Sequence, residues 1–462
     1  MSDDSTLLGV VVLTRHGDRQ GFYQDPDSYT ASGTVITPLG NQQEYQLGQK
    51  LRALYLNASS PTNLAGMSHD VVNASQIAAR ADAGGEGGVI YDSAVSFMQG
   101  LYPNTTAYNT TLANGTTVVG PLGGYQVLES VEPDNDVSLE GWTSCGAFSD
   151  WTNDFYNSSA FQQVASDNDD FLKSLPPYLD GRPVSLQNMW NIFDFMNVNW
   201  IHNEQFAQVV PEETIARARA LANYHEYGVF TSPELDGIGN IAGRTVLPNI
   251  LDGFASIVDE KDATQFVYIG VSYKPFLSLF NMTQAAEMHG ELEGIVNYAA
   301  AAVFEVRETS DGEHVLRFNF KNGTDDNDFK TYTIMGQDGD VPLSTFVDRL
   351  AVSPFLSPVL TTPTYTPPQP AAINTTAAWC SACGNTKDRG CGAFTKAANE
   401  AIAAHSDKIS PVGAGFLGAG LTIAVMLAMF GALMFMGVLT FGRRGRRQQG
   451  KEVSGLGARE MR

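Results

Sequence analysis

Positive charge is scarce in this chain. Lys and Arg number 28 against 50 Asp and Glu in 462 residues, a formal net charge of -22. So acidic a surface repels nucleic-acid phosphates, which excludes general DNA or RNA binding. Cysteine is also sparse, at four residues: Cys145, Cys380, Cys383 and Cys391. The even number suits two disulfides with three possible pairings. A zinc site on Cys380, Cys383 and Cys391 is the alternative, with only His405 near as a fourth ligand. An apolar leader is missing as well: Met1–Thr6 is polar, and Leu7–Thr14 is too short and wrongly flanked for a signal peptide. With 43% hydrophobic and 10% aromatic residues, the chain is nevertheless able to bury a large core, which excludes wholesale disorder.

Charge is absent altogether from Ile409 to Gly442, and residues 416–439 are almost entirely apolar or small. As a helix of about 36 Å this segment is long enough for a membrane span. The tail that follows, 443–462, carries seven basic and two acidic residues, leaving about -27 on the rest of the chain. The positive-inside rule then places the tail in the cytosol and the body outside or in a lumen, at the cell surface or in a vacuole. Nine Asn-x-Ser/Thr sequons agree with that side: Asn57, Asn73, Asn104, Asn109, Asn114, Asn157, Asn281, Asn322 and Asn374. With such a topology we expect a leader lost from this sequence rather than insertion by the C-terminal span.

The run Leu7–Thr14 is apolar and β-branched, as in a strand buried on both faces. Thr37-Pro38 then offers an N-cap and first helical position, and Leu39, Gln43, Leu47, Leu51 and Leu54 follow at helical spacing. Strand, loop, helix predicts an α/β fold with a Rossmann-like, mostly parallel sheet flanked by helices. Residues 126–245 hold helical patterns, such as Ser185–His202 and Glu212–Tyr227, and little alternation; they predict an inserted helical cap. Strand patterns resume at Gln265–Val271, Ala301–Arg307 and His314–Phe320, so the α/β domain is split into 1–125 and 246–352. Six prolines between Pro354 and Pro370 open a stalk, or chain wrapping the surface, over 353–410 that includes the cysteine cluster. The span 416–439 and the basic tail complete the chain.

The first strand runs directly into Arg15-His16-Gly17-Asp18-Arg19. Ligands of open α/β sheets sit beyond the carboxyl ends of strands, so this loop is correctly placed for a site. Two guanidiniums flanking an imidazole suit a phosphoryl group: each Arg offers a fork of donors, and a neutral His between them is able to attack phosphorus. Gly17 lets the backbone turn without obstructing the phosphate.

These five residues resemble the R-H-G-x-R signature of the histidine acid phosphatases, the branch of the histidine phosphatase superfamily that includes phytases. Thr37-Pro-Leu-Gly40, Gln43, Leu47-Gly48 and Leu51-Arg52 look like that family's first helix, and Arg80-Ala81, Ser93-Ala94 and Gly100-Leu101-Tyr102-Pro103 like its next segment. The resemblance covers roughly residues 7–350. It implies phosphomonoester hydrolysis without metal or cofactor, His16 as nucleophile, and Arg15, Arg19 and Arg80 as phosphate ligands. The family's His-Asp or His-Glu pair, whose acid protonates the leaving oxygen, is missing: the matching strand ends in Val271-Ser272-Tyr273. His69-Asp70 is the only such dipeptide and belongs to another segment. Asp18 is the best substitute acid by proximity to the nucleophile, with Tyr273 second. The remaining histidines, His202, His225, His289, His314 and His405, read as structural. The expected function is therefore a membrane-anchored phosphatase of reduced activity, or a pseudo-phosphatase that binds a phosphorylated ligand. Nothing in the sequence indicates an oligomeric state.

Overall fold

The first apolar run forms strand β1 (Thr6–Arg15), buried on both faces. The structure, a computed structural model, describes residues 5–21, 33–85, 88–124, 126–350 and 371–396. After β1 come α1 (Pro38–Leu51), β2 (Ile77–Asp82), α2 (Val89–Leu101), a small hairpin of β3 (Thr110–Thr111) and β4 (Thr117–Val118), and β5 (Glu129–Val131). Six helices follow: α3 (Gly146–Asn157), α4 (Ser159–Asp167), α5 (Asp169–Ser174), α6 (Met189–His202), α7 (Glu204–Val209) and α8 (Glu212–Val229). The chain then returns through α9 (Ile241–Val258), β6 (Phe266–Val271), α10 (Lys274–Met282), α11 (Ala285–Met288), β7 (Ala301–Glu308), β8 (His314–Lys321), β9 (Lys330–Thr331), β10 (Val341–Pro342), α12 (Leu343–Leu350) and α13 (Thr376–Ala382).

The sheet order is β10-β8-β7-β1-β6-β2-β5, with β9 also on β8. Strands β1, β6, β2 and β5 run parallel, as the strand–helix alternation predicts. The hairpin β7–β8 continues the sheet antiparallel on the other side of β1. Period-two alternation splits β1 between two cores. Val11 and Leu13 pack with α9 and the cap helices, while Val10 and Val12 pack with α1 and α2. Helices α1 and α2 cross closely because glycines meet backbone there. A Cβ on Gly48 would lie 2.1 Å from the Phe97 carbonyl oxygen, and one on Gly100 would lie 2.0 Å from that of Tyr45.

One boundary differs from the expected division of the chain. β5 lies within the expected insertion yet pairs with β2; three residues, two of them polar and exposed, leave too short a pattern to read. The cap shares one continuous apolar core with the sheet. Residues 371–394 pack onto the body, in line with the surface-wrapping alternative to a stalk. Trp379 is fully buried and donates through Nε1 to the Gly141 carbonyl at 2.7 Å. The cysteines pair as Cys145–Cys383 and Cys380–Cys391, which removes the zinc alternative, and no cluster able to hold a metal ion occurs among the described residues.

The chain divides into two units, Met1–Phe394 and Thr395–Arg462, and only Thr395 and Lys396 of the second are described. The expected span 416–439 and the basic tail lie outside the described residues. Among the described residues, no helix is long and apolar enough to cross a membrane.

Candidate active site

β1 delivers Arg15 at the carboxyl edge of the sheet, level with Val271 at the end of β6. The loop beyond it is pressed onto the start of α1, where Thr37 caps the helix through the Gly40 N–H. A Cβ on Gly17 would lie 2.4 Å from the Gly40 carbonyl oxygen, so only glycine fits this approach. The Gly17 N–H donates to Ser93 Oγ at 3.1 Å, tying the loop to α2. His16 is 2% exposed, and its Nδ1 lies 2.8 Å from the Gly17 carbonyl oxygen. A carbonyl only accepts, so Nδ1 carries the proton and the lone pair of the neutral ring falls on Nε2. Burial first, then the charges of Arg15, Arg19 and Lys274, hold the imidazole well below the usual His range; the Gly17 carbonyl opposes this more weakly. The ring is therefore neutral, as a nucleophile requires.

Arg15 donates to the Val296 carbonyl and lies against two rings, with its guanidinium carbon 4.4 Å from the centroid of Tyr298 and 5.1 Å from that of Tyr273. Arg19 is gripped bidentately by Asp194 of α6, at 2.9 and 3.2 Å. Both arginines line a cleft of about 560 Å³ between the sheet edge and the cap. His16 itself is buried and is not part of its lining. Tyr298, whose phenol is pushed up to about 12 chiefly by burial, also lines the cleft and stays protonated.

Arg80 is not part of this cleft. In the sheet it lies level with Ile269, which in turn pairs with Leu13, two residues short of Arg15 and two strands away. From strand geometry that is roughly 7 Å back from the edge and about 10 Å sideways. Its guanidinium bonds Glu129 at 2.8 Å, Asp136 at 2.6 Å and the side chain of Asn249, beside a separate pocket. The expected third phosphate ligand is thus a structural ion-pair centre, because register in the sheet sets it below the edge.

The expected acids also have other work. The Asp18 carboxylate is fully buried. It accepts from the hydroxyl of Thr37 and from Nε2 of His202 at 2.7 Å, and it does not line the cleft. The positive end of α1 and the imidazole together explain its position. The Tyr273 ring lines the cleft, but its hydroxyl donates to Glu226 Oε2 at 2.6 Å. Glu226 in turn bonds Nδ1 of His225, and Nε2 of His225 bonds the Tyr156 hydroxyl, each at 2.8 Å. The pair His69-Asp70 lies elsewhere, with Asp70 on Arg52 at 3.0 Å.

Four residues that sequence reasoning did not select come into play. Asp194 and His202 tie α6 to the loop at Arg19 and Asp18. Lys274, 1% exposed at the start of α10, acts on His16 electrostatically, and Arg219 of α8 lines the cleft. Lys274 follows the end of β6 and was readable from the rule that sites form at strand ends. The cap residues carried no local signal.

No protein-family model matches the chain, and no curated protein does. Solved structures do. The phytase of Klebsiella sp ASR1 is 14% identical, with a TM-score of 0.53 over 75% of this chain and 94% of its own. The phytase of Citrobacter braakii is 12% identical, with a TM-score of 0.51 over 74% and 97%. The Hafnia alvei phytase in complex with myo-inositol hexakis sulphate is 12% identical, with a TM-score of 0.51 over 76% and 97%. The chain thus has the phytase fold, which agrees at the level of architecture with the resemblance to histidine acid phosphatases drawn from the sequence.

Proposed function

We propose that the chain hydrolyses phosphomonoesters through a phosphohistidine on His16. The observation that carries this reading is a buried, neutral imidazole with its lone pair on Nε2, flanked by Arg15 and Arg19 at the carboxyl edge of the sheet. Nε2 forms a bond to phosphorus as the bond from phosphorus to the ester oxygen breaks. Arg15 and Arg19 hold the phosphoryl oxygens, and Lys274 adds positive charge. Water then attacks phosphorus, the P–N bond breaks, and inorganic phosphate leaves.

The acid for the first step is Asp194. It is the cleft carboxylate that already sits on a phosphate-binding guanidinium. An incoming phosphoryl group competes for Arg19 and displaces the carboxyl group toward the leaving oxygen. Protonated Asp194 gives its proton to the leaving oxygen and recovers one from the attacking water. A specific observation also favours a second reading, binding without turnover: Arg19 is occupied by Asp194, and no carboxyl group follows β6 directly. Hydrolysis of an aryl phosphate decides between the two. His16→Ala should abolish it, and the wild type should yield an acid-labile phosphoenzyme; phosphate binding without either result establishes the pseudo-phosphatase.

We further propose that the body is lumenal or extracellular, anchored by 416–439 with a cytosolic tail. The charge-free segment, the basic tail and the sequons support this. Asn57, Asn73, Asn104, Asn114, Asn157 and Asn374 are exposed. Asn281 is set apart, because its Nδ2, the atom a glycan would occupy, donates to Ser232 and Asn240 at 2.8 and 3.0 Å. Glycosidase treatment of membranes from expressing cells should lower the apparent mass, with no glycan at Asn281; an unchanged mass removes the placement.

A further inference from the structure

The cleft carries little net positive charge. Arg15, Arg19 and Arg219 are its cationic lining residues, against Asp194 and Asp325. Arg219 and Asp325 share Asn297, whose side chain accepts from the first and donates to the second. The excess is one positive charge, or two with Lys274 buried beside His16. One phosphoryl group of about -1.5 to -2 matches it. Further phosphoryl groups would meet Arg219, which is tied through Asn297 to Asp325, and otherwise uncharged walls.

Those walls are amide and aromatic. On α1 the buried stripe is Gly40, Glu44, Leu47 and Leu51. The stripe facing the cleft, at the same helical spacing, is Leu39, Gln42, Gln43 and Gln46. Gln43 is committed to the Asp18 N–H at 2.8 Å, while Gln42 and Gln46 are exposed. Across from them α6 contributes Asn197 and the rings of Trp190 and Phe193. A carboxamide both donates and accepts, so it pairs with hydroxyl groups without demanding charge. Aromatic faces cover the C–H side of a ring while its hydroxyls reach the amides.

From this lining we infer that the site takes the monophosphate of a neutral, hydroxyl-rich compound, a sugar phosphate by chemical class, in preference to a polyphosphorylated polyol. The inference rests on the phosphatase reading and names the substrate class for the same cleft. Glucose 6-phosphate, 4-nitrophenyl phosphate and phytate, offered to the full chain at one acidic pH, test it. The kcat/KM for glucose 6-phosphate should exceed that for phytate by about tenfold or more. In the double variant Gln42→Ala, Gln46→Ala, loss of two hydrogen bonds should raise KM for glucose 6-phosphate about 5- to 50-fold more than KM for 4-nitrophenyl phosphate. Equal or better use of phytate, or an equal rise in both KM values, overturns the inference while leaving hydrolysis intact. If nothing is turned over, calorimetry separates the two failures. Glucose 6-phosphate binding about tenfold tighter than inorganic phosphate, with that margin lost in the double variant, upholds the ligand class and refutes hydrolysis. Equal binding of the two refutes both.

Discussion

Asp194→Asn separates chemistry from architecture in this site. The carboxylate is 17% exposed and the Arg19 side chain 2%, so their bidentate pair is largely shielded from water. The substitution keeps size and one acceptor oxygen but cannot supply a proton. General acid catalysis is worth about 10²–10⁴-fold, or roughly 3–5 kcal/mol of barrier. An alkyl phosphate, whose leaving oxygen must be protonated, should lose that much in kcat. A nitrophenyl phosphate, whose leaving group departs as an anion, should lose little. Binding should move the other way: with no carboxylate competing for Arg19, inorganic phosphate should inhibit up to about tenfold more tightly, the scale of one charge-assisted hydrogen bond.

The assay is a series of phosphate esters of graded leaving-group acidity, run on wild type and Asp194→Asn. The expected signature is a steeper dependence of kcat on leaving-group pKa in the variant, together with tighter phosphate inhibition. If alkyl and aryl esters lose kcat equally, Asp194 only positions Arg19 and the acid assignment is wrong. If the wild type shows the steep dependence and the variant leaves it unchanged, no acid acts in the first step.

Other outcomes follow from the same geometry. Because burial and neighbouring cations hold His16 well below 6.5, the acid limb of kcat/KM should fall below that pH; a limb at 6.5 or above would refute a neutral, buried nucleophile. Arg80→Ala should lower stability by about 1–3 kcal/mol in denaturant melts with no selective rise in KM, since its partners are Glu129 and Asp136; a large KM effect would return Arg80 to the phosphate site. Glu44 is fully buried with no hydrogen-bond partner for either oxygen among the described residues, and burial raises its pKa well above 4.5. The folded state therefore holds its proton longer than the unfolded one, so stability should fall as pH rises above 4.5, by up to about 1.4 kcal/mol per unit until the folded pKa is passed. Glu44→Gln should flatten that part of a stability–pH profile, and an unchanged slope would mean the carboxyl is not buried. Removing Cys145–Cys383, which closes 238 residues, should cost about 5 kcal/mol, against about 3 for Cys380–Cys391; the reverse order in melts of the two double serine variants would contradict the loop-closure argument.

What was legible in the sequence was local. β1 announces itself by a fully apolar run, and the loop that follows is fixed by five consecutive residues and by glycines whose neighbours leave no room for a Cβ. Arg80 misled because its place depends on register. Nothing in Ala79-Arg80-Ala81 says that the arginine stands level with Leu13 rather than with Arg15. The partners of the loop were illegible for a related reason. Asp194 meets Arg19 across 175 residues and His202 meets Asp18 across 184, and in a helix rich in Asn and aromatics neither carries a mark. One helix makes both contacts, so a shift of α6 would change the Arg19 guanidinium and the buried Asp18 carboxylate together. The floor of the site is therefore written in one short motif, whereas the walls combine α1, which follows that motif closely in sequence, with the distant cap helices α6 and α8. On the proposed mechanism the missing acid is to be sought on the cap, and Asp194 is the residue there that pairs with Arg19 of the motif.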